Sequence, residues 1–216
     1  MNKLKAVVHY RFDAHVEGDF NYDANGNFSG VSPTKKLNEQ NWSFAGENTF
    51  HATRYLDFVT GISYEINDVL RADGNSDPLP ERDEWNWQGA AIYSYSRTGK
   101  VHADVSSRTR FPTLFDRYST RFGTKAQNPG INPERATNYE IGVSDTLFKA
   151  VKLSSAVFYS DLDNSIQNAY TAPSGSNSIV IYNADGHNYG FELSADWDVM
   201  RGLRIGGKLH VPPAQS

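Results

Sequence analysis

The sequence predicts an all-β chain, an antiparallel meander of about nine long strands. Three observations carry that prediction. Apolar and polar residues alternate with period two through nine separate stretches. The connections between these stretches are short and long in turn. In the fourth stretch, aromatic residues stand at both ends with small residues between them.

The first strand places Leu4, Ala6, Val8, Tyr10, Phe12, Ala14 and Val16 on one face, and Lys5, His9, Arg11, Asp13, His15 and Glu17 on the other. A helix would scatter these residues around its axis, whereas a strand separates them cleanly. The second strand follows with Trp42, Phe44 and Phe50, and the third with Leu56, Phe58, Ile62 and Tyr64. The fourth carries Trp85, Trp87, Gly89, Ala91, Tyr93 and Tyr95, and the fifth Val101, Ala103, Val105 and Phe111. Tyr139, Ile141 and Val143 mark the sixth; Leu153, Val157 and Tyr159 the seventh. The eighth has Phe191, Leu193, Ala195 and Trp197, and the ninth Leu203, Ile205, Leu209 and Val211.

Short connections fall at residues 51–55, 96–100, 145–150 and 198–202; long ones at 18–40, 66–84, 112–135 and about 168–178. Strict alternation puts every long loop at one end of the sheet. Outer-membrane barrels are built this way, with short periplasmic turns and long external loops. The fourth strand fits that setting. Ten residues at ~3.3 Å rise and ~40° tilt cover ~25 Å along the membrane normal, the height of the apolar band between aromatic girdles. Trp85, Trp87, Tyr93, Tyr95 and Trp197 are therefore the candidate girdle residues. The competing reading of the same pattern is a soluble β-sandwich with aromatic strands.

Composition limits the other classes. No window approaches the roughly 18 apolar residues of a membrane helix, but a barrel strand needs only every second residue apolar. There is no cysteine, which suits an exported bacterial protein. A net charge of −4 and the lack of a basic stripe exclude a nucleic-acid footprint. No catalytic constellation, zinc-spaced His/Cys group or phosphate-cradling glycine loop is present, so neither an enzyme nor a cofactor is expected. The run from Asn21 to Gly26 imitates an EF-hand start, but its twelfth position is Ser32 where a bidentate Glu is required. Asp19, Asp23 and Asn25 remain a weak calcium candidate, and Asp161-Leu162-Asp163-Asn164 is a similarly weak one that reads rather as a turn. The positive N-terminus leads into an apolar run broken by His9, Arg11 and Asp13, so it does not read as a signal peptide.

Residues 108–144 are the most informative stretch. A strand ends at Phe111-Pro112. A loop follows with Leu114-Phe115-Asp116-Arg117-Tyr118, then Asn128-Pro129 and Pro133-Glu134-Arg135, and the next strand opens with Asn138-Tyr139-Glu140-Ile141-Gly142. This order resembles a segment of the TonB-dependent outer-membrane receptors of the siderophore and cobalamin type. Residues 157–167 and 182–197 are similar to further strands of that family.

The resemblance implies a piece of the family's C-terminal β-barrel domain over residues 1–216, an incomplete portion of a large transmembrane barrel. The N-terminal plug and the last barrel strands would be absent, since about nine strands cannot close a barrel of about 22. It also implies a Gram-negative outer-membrane location, lipid as the surrounding partner, and a ferric siderophore, cobalamin or similar large solute. TonB and the plug would be partners only in the intact parent. The lumen face would carry His9, Arg11, Asp13, His15, Glu17, Arg108, Arg110, Glu140, Glu192, Asp196, Arg204 and Lys208. Arg108, Arg110, Arg117, Tyr118, Arg121 and Lys125 form the candidate ligand-contacting cluster, because guanidinium groups suit planar anionic chelates. The bland alternative for the two strand arginines is pairing with Asp116 and Glu134. Other functional classes compatible with the sequence are a soluble β-rich module binding glycans or proteins, and a piece of a passive porin.

Overall fold

The computed structural model describes residues 2–75, 81–119, 126–171 and 178–211. Nine long strands form one antiparallel sheet in chain order: β1 (Asn2–Glu17), β4 (Lys35–His51), β5 (Leu56–Ala72), β6 (Glu81–Ser94), β7 (Lys100–Arg110), β8 (Glu134–Leu147), β9 (Val151–Thr171), β10 (Ser178–Met200) and β11 (Leu203–Val211). A small hairpin of β2 (Phe20–Tyr22) and β3 (Phe28–Val31) rises between β1 and β4 as a separate two-stranded sheet. A short helix, α1 (Leu114–Tyr118), follows β7. The large sheet is open, with β1 and β11 at its two ends.

The register decides what each face is made of. One cross-strand row runs Phe50, Phe58, Ala91, Ala103, Ile141, Val157, Phe191, Val211 and is apolar on all eight strands from β4 to β11, ending at Asn2 on β1. On the opposite face a second row runs Lys5, Glu47, Gly61, Gln88, Ser106, Asn138, Ser160, Asn188, polar or glycine throughout. Hydrogen bonds lace the polar row: Lys5 Nζ donates to Glu47 at 2.7 Å, Gln88 Nε2 to Glu47 at 3.3 Å, and Ser160 Oγ to Asn138 at 2.6 Å. The apolar face has no second layer against it among the described residues. Phe58, Ile141, Val157 and Leu209 stand 40–59% exposed, an apolar surface far too continuous for a protein face that meets water. A two-layer sandwich does not form among the described residues.

The strands reach further than the hydrophobic alternation does. β5 continues to Ala72 and β6 begins at Glu81, inside the stretch expected as a loop at 66–84; β9 likewise extends into 168–178 as far as Thr171, and β10 begins at Ser178. Past the apolar band a strand no longer needs an apolar outward face, so alternation ceases to mark it while the backbone ladder goes on. The 23 residues of β10 would span ~76 Å at ~3.3 Å each, well beyond a ~25 Å apolar band. The turn expected at residues 161–164 is likewise strand. Asn164 adopts φ 53° within β9, and the ladder shifts register there opposite Asp185, whose Oδ1 accepts the Asn164 N–H at 2.9 Å. Asn tolerates the left-handed conformation that this bulge requires.

In the β2–β3 hairpin, Asp23 is occupied by its own turn. Its Oδ1 accepts the N–H groups of Asn25 at 2.9 Å and Asn27 at 2.8 Å, and the bonds with Asn27 hold its carboxyl below the usual range.

Helix α1 starts from a capping box. Thr113 Oγ1 accepts the Asp116 N–H at 3.2 Å, and Asp116 Oδ2 accepts the Thr113 N–H at 3.0 Å. Replacing Thr113 by Ala is expected to loosen this helix by about 1 kcal/mol. Faster amide exchange confined to residues 114–118 would report it.

Candidate functional site at the long-loop end

The connection between β7 and β8 folds inward over the polar face. Leu114 and Tyr118 of α1 pack on Leu37 of β4 and on Val69 and Ala72 of β5, forming a buried apolar cluster. A bulge at Leu70 makes this possible: Glu39 pairs with Val69 and Asn38 with Arg71, so Val69 and Ala72 both turn to the polar face. On its far side the same connection is tied to β10. The Ala126 N–H donates to the Ile179 carbonyl at 3.0 Å, Asn128 Nδ2 to the Ile181 carbonyl at 2.9 Å, and Asn183 Nδ2 to the Asn132 carbonyl at 3.1 Å. The connection is therefore a strap that crosses from β4 and β5 to β10.

Beneath the strap sits a buried polar knot. Arg117 is fully buried and donates from Nη2 to Asn67 Oδ1 at 2.9 Å; Asn67 in turn donates to Glu39 Oε2 at 3.1 Å. Glu39 is also buried. Burial pushes the Arg117 guanidinium below its usual range, nearby Arg82 adds to this, and the Glu39 charge opposes it. Burial raises the Tyr118 phenol. Among the described residues, Nε and Nη1 of Arg117 and the Tyr118 hydroxyl form no hydrogen bond. Arg82 supports the strap from another side, donating from Nη1 to the Ile131 carbonyl at 2.6 Å.

The signature residues of the sequence are the anchors of this arrangement. The Asn128 N–H donates to the Arg117 carbonyl at 2.9 Å and closes the strap's own turn. Glu134 binds three strands at once: it pairs with Arg110 of β7 at 2.9 Å, and accepts from Ser165 Oγ at 3.1 Å and the Ile166 N–H at 2.9 Å on β9. Arg135 reaches across to β6, donating to the Trp85 carbonyl at 3.1 Å and pairing with Glu84 at 2.5 Å. Because Glu134 stands where β7, β8 and β9 meet, Glu134→Ala is expected to cost about 1–2 kcal/mol after screening of the partly exposed Arg110. A lowered denaturation midpoint with an unchanged denaturant slope would show it.

The candidate ligand cluster separates into three environments. Arg108 and Arg110 lie on the polar face, as their two-residue spacing requires. Arg108 donates to Gln88, and Arg110 forms a two-point pair with Glu134. Arg117 and Tyr118 are buried under the strap, and Arg121 and Lys125 lie outside the described residues. Asp116, considered as a partner for the strand arginines, caps α1 instead. Elsewhere on the polar face, Arg11 pairs with Asp13 at 2.7 Å, His15 with Glu17 at 3.5 Å and Arg204 with Asp198 at 2.6 Å.

The aromatic residues line the apolar face toward both ends. Tyr64 and Trp85 contact each other with centroids 4.8 Å apart, Tyr10 and Trp42 at 4.6 Å, and Tyr139 and Tyr159 at 6.3 Å. Trp87, Tyr93 and Trp197 are about half exposed on the same face. Tyr95 keeps its ring exposed while its hydroxyl donates to Asp145 at 2.9 Å, at the short-turn end.

Comparison with known proteins matches this geometry. The model of the family "TonB dependent receptor-like, beta-barrel" covers residues 2–209. The chain belongs to the TonB-dependent receptor β-barrel family. It is similar to the vitamin B12 transporter BtuB of Photobacterium profundum, 26% identical in a 157-residue alignment that covers 58% of this chain and 25% of the relative. Its fold is that of the copper transporter OprC (TM-score 0.82, 16% identity, 98% of this chain and 35% of the other). The outer-membrane ferripyoverdine receptor of Pseudomonas aeruginosa also shares it (TM-score 0.74, 14% identity, 98% and 30%). The chain thus spans between a quarter and about a third of the length of these relatives.

Proposed function

We propose that this chain forms wall and external loops of a Gram-negative outer-membrane receptor for TonB-dependent uptake of a ferric siderophore, cobalamin or similar large solute. The observation that carries the reading is the pairing of the two rows: eight strands apolar on one face, and eight polar on the other. That division suits a wall between lipid and a wide aqueous lumen. The BtuB relative is a vitamin B12 transporter, and the ferripyoverdine receptor was solved with ferripyoverdine bound; both support a large chelate as cargo.

In this reading the long-loop end faces outward and the short turns face the periplasm. Arg108 and Arg110 then present guanidinium groups in the lumen beneath the strap, where they attract an anionic chelate. Uptake in this reading also requires a plug and TonB. Nine strands cannot close around a channel, so the 216-residue chain alone passes no solute through liposomes.

Deleting the gene in its host tests the proposal. The expected result is lost growth on at least one of a panel of ferric siderophores or cobalamin at limiting supply, reproduced by deleting TonB. Unchanged growth on every member of the panel would contradict it. A soluble binding module predicts instead a stable monomer without detergent, and a passive porin predicts uptake independent of TonB.

A further inference from the structure

The polar face carries a second constellation, away from the strap and toward the short-turn end. His102 and Asp104 are two residues apart on β7 and point to the same side; Glu140 of β8 stands directly opposite Asp104 in the register. His102 Nε2 lies 2.9 Å from Glu140 Oε1 and 3.9 Å from Asp104 Oδ2, and one ligand atom from each residue falls within 4.8 Å of the others. All three are partly exposed, with side chains 32–40% accessible.

Two features set this group apart from an ordinary surface ion pair. Asp104 and Glu140 are like charges at directly opposed positions, which is destabilising in a sheet unless a cation intervenes. Arg108, the guanidinium further along the same face of β7, donates to Gln88 and forms no salt bridge among the described residues. The seat of the imidazole is also shaped. His102 lies across Gly142, its cross-strand neighbour, and a Cβ at Gly142 would collide with the ring carbon Cε1. Glycine at this position lets the imidazole lie flat toward Glu140.

We infer that His102, Asp104 and Glu140 form a binding site for one first-row divalent transition-metal ion on the lumen wall. One imidazole and two carboxylates make a borderline donor set with open positions toward water, suited to Zn2+, Ni2+ or Cu2+ and weaker for Mn2+. The ion would sit between the opposed carboxylates of Asp104 and Glu140 and neutralise them. Glu192 and His210, which face the same groove and pair with each other at 3.1 Å, stand outside the three-ligand set. The inference rests on the sheet register and not on the transport reading.

The test is calorimetric titration of Zn2+, Cu2+ and Mn2+ into the protein isolated from membranes in detergent, with the cobalt-substituted spectrum as a second readout. The expected result is one site per chain, binding in the order Cu2+ > Zn2+ > Mn2+, and a cobalt spectrum that includes a nitrogen ligand. His102→Ala and Glu140→Gln should each weaken binding by about 100-fold or more, since even the loss of an outer-shell partner costs 10–100-fold. Gly142→Ala keeps every ligand but displaces the imidazole, and should weaken binding as well. Glu192→Gln and His210→Ala should leave it unchanged. Wild-type protein that binds no Zn2+ or Cu2+ would overturn the inference. So would binding that survives Glu140→Gln, or that falls equally with His210→Ala in variants that retain native β-sheet circular dichroism.

Discussion

Replacing Ile141 with Lys is expected to destabilise the barrel wall by about 2–4 kcal/mol, the cost of a cation on the lipid face near the middle of the apolar band. Ile141 sits in the row that stays apolar across eight strands, flanked along its own strand by Tyr139 and Val143. Its cross-strand neighbours Ala103 and Val157 offer an ammonium no polar partner at this depth. The same substituent at Ser106, in the polar row, meets water and the neighbouring Gln88 and Asn138, and should change stability by less than about 1 kcal/mol. Denaturant titration of the receptor in phospholipid vesicles, followed by tryptophan fluorescence, measures both. A similar cost at the two positions would mean that the faces are not divided between lipid and water.

Replacing Arg117 with Ala is expected to release the strap, at a cost of about 3 kcal/mol, because it removes the buried cation whose charge is set against the buried Glu39. Arg117 is fully buried, Glu39 nearly so, and Asn67 links them by hydrogen bonds at 2.9 and 3.1 Å. The loss also opens a cavity beneath Tyr118. The effect should be local: amide exchange should accelerate at residues 114–119 and 126–133 and stay unchanged along β9 and β10 below the strap. The double variant Arg117→Met with Glu39→Gln should recover much of the loss, since it fills the volume and removes the buried anion while keeping an acceptor for Asn67. Failure to recover would mean that the strap is held by the apolar contacts of Leu114 and Tyr118 rather than by the buried charges.

Much of this architecture was legible in the residues. Period-two alternation located all nine strands and assigned residues such as His9, Arg11, Glu140 and Glu192 to the face they occupy. Strict alternation of connection lengths gave the strand order. Strand length was not legible, because Arg71 and Glu81 are exposed and Asn67 is a polar residue buried beneath the strap, so these positions carry no hydrophobic period. The fate of Arg117 was hidden for a different reason. In sequence it belongs to a cationic, aromatic loop that suggests an exposed ligand surface; its burial follows from the bulge at Leu70, which turns Val69 and Ala72 toward the strap.

Cross-strand register is the third quantity that one strand's sequence does not contain. It places Glu140 opposite Asp104 and Gly142 opposite His102, and so assembles a metal-ligand geometry from two segments that carry no metal-binding spacing. It also explains the signature stretch. Asn128, Glu134 and Arg135 anchor the strap and the sheet around it, Asn138 joins the polar row, Ile141 the apolar row, and Gly142 makes room for an imidazole.

The central claim is that one face of this sheet meets lipid and the other meets water. The chain contains no cysteine, so single cysteines report without background. Placed one at a time at residues 137–141, 143 and 144 of β8 and spin-labelled in lipid vesicles, they measure access to oxygen and to a water-soluble nickel chelate. The account predicts alternation at every residue: Tyr139, Ile141 and Val143 positions accessible to oxygen and shielded from the chelate, Asn138, Glu140 and Ser144 the reverse. Equal chelate access at both sets of positions in folded protein would contradict it.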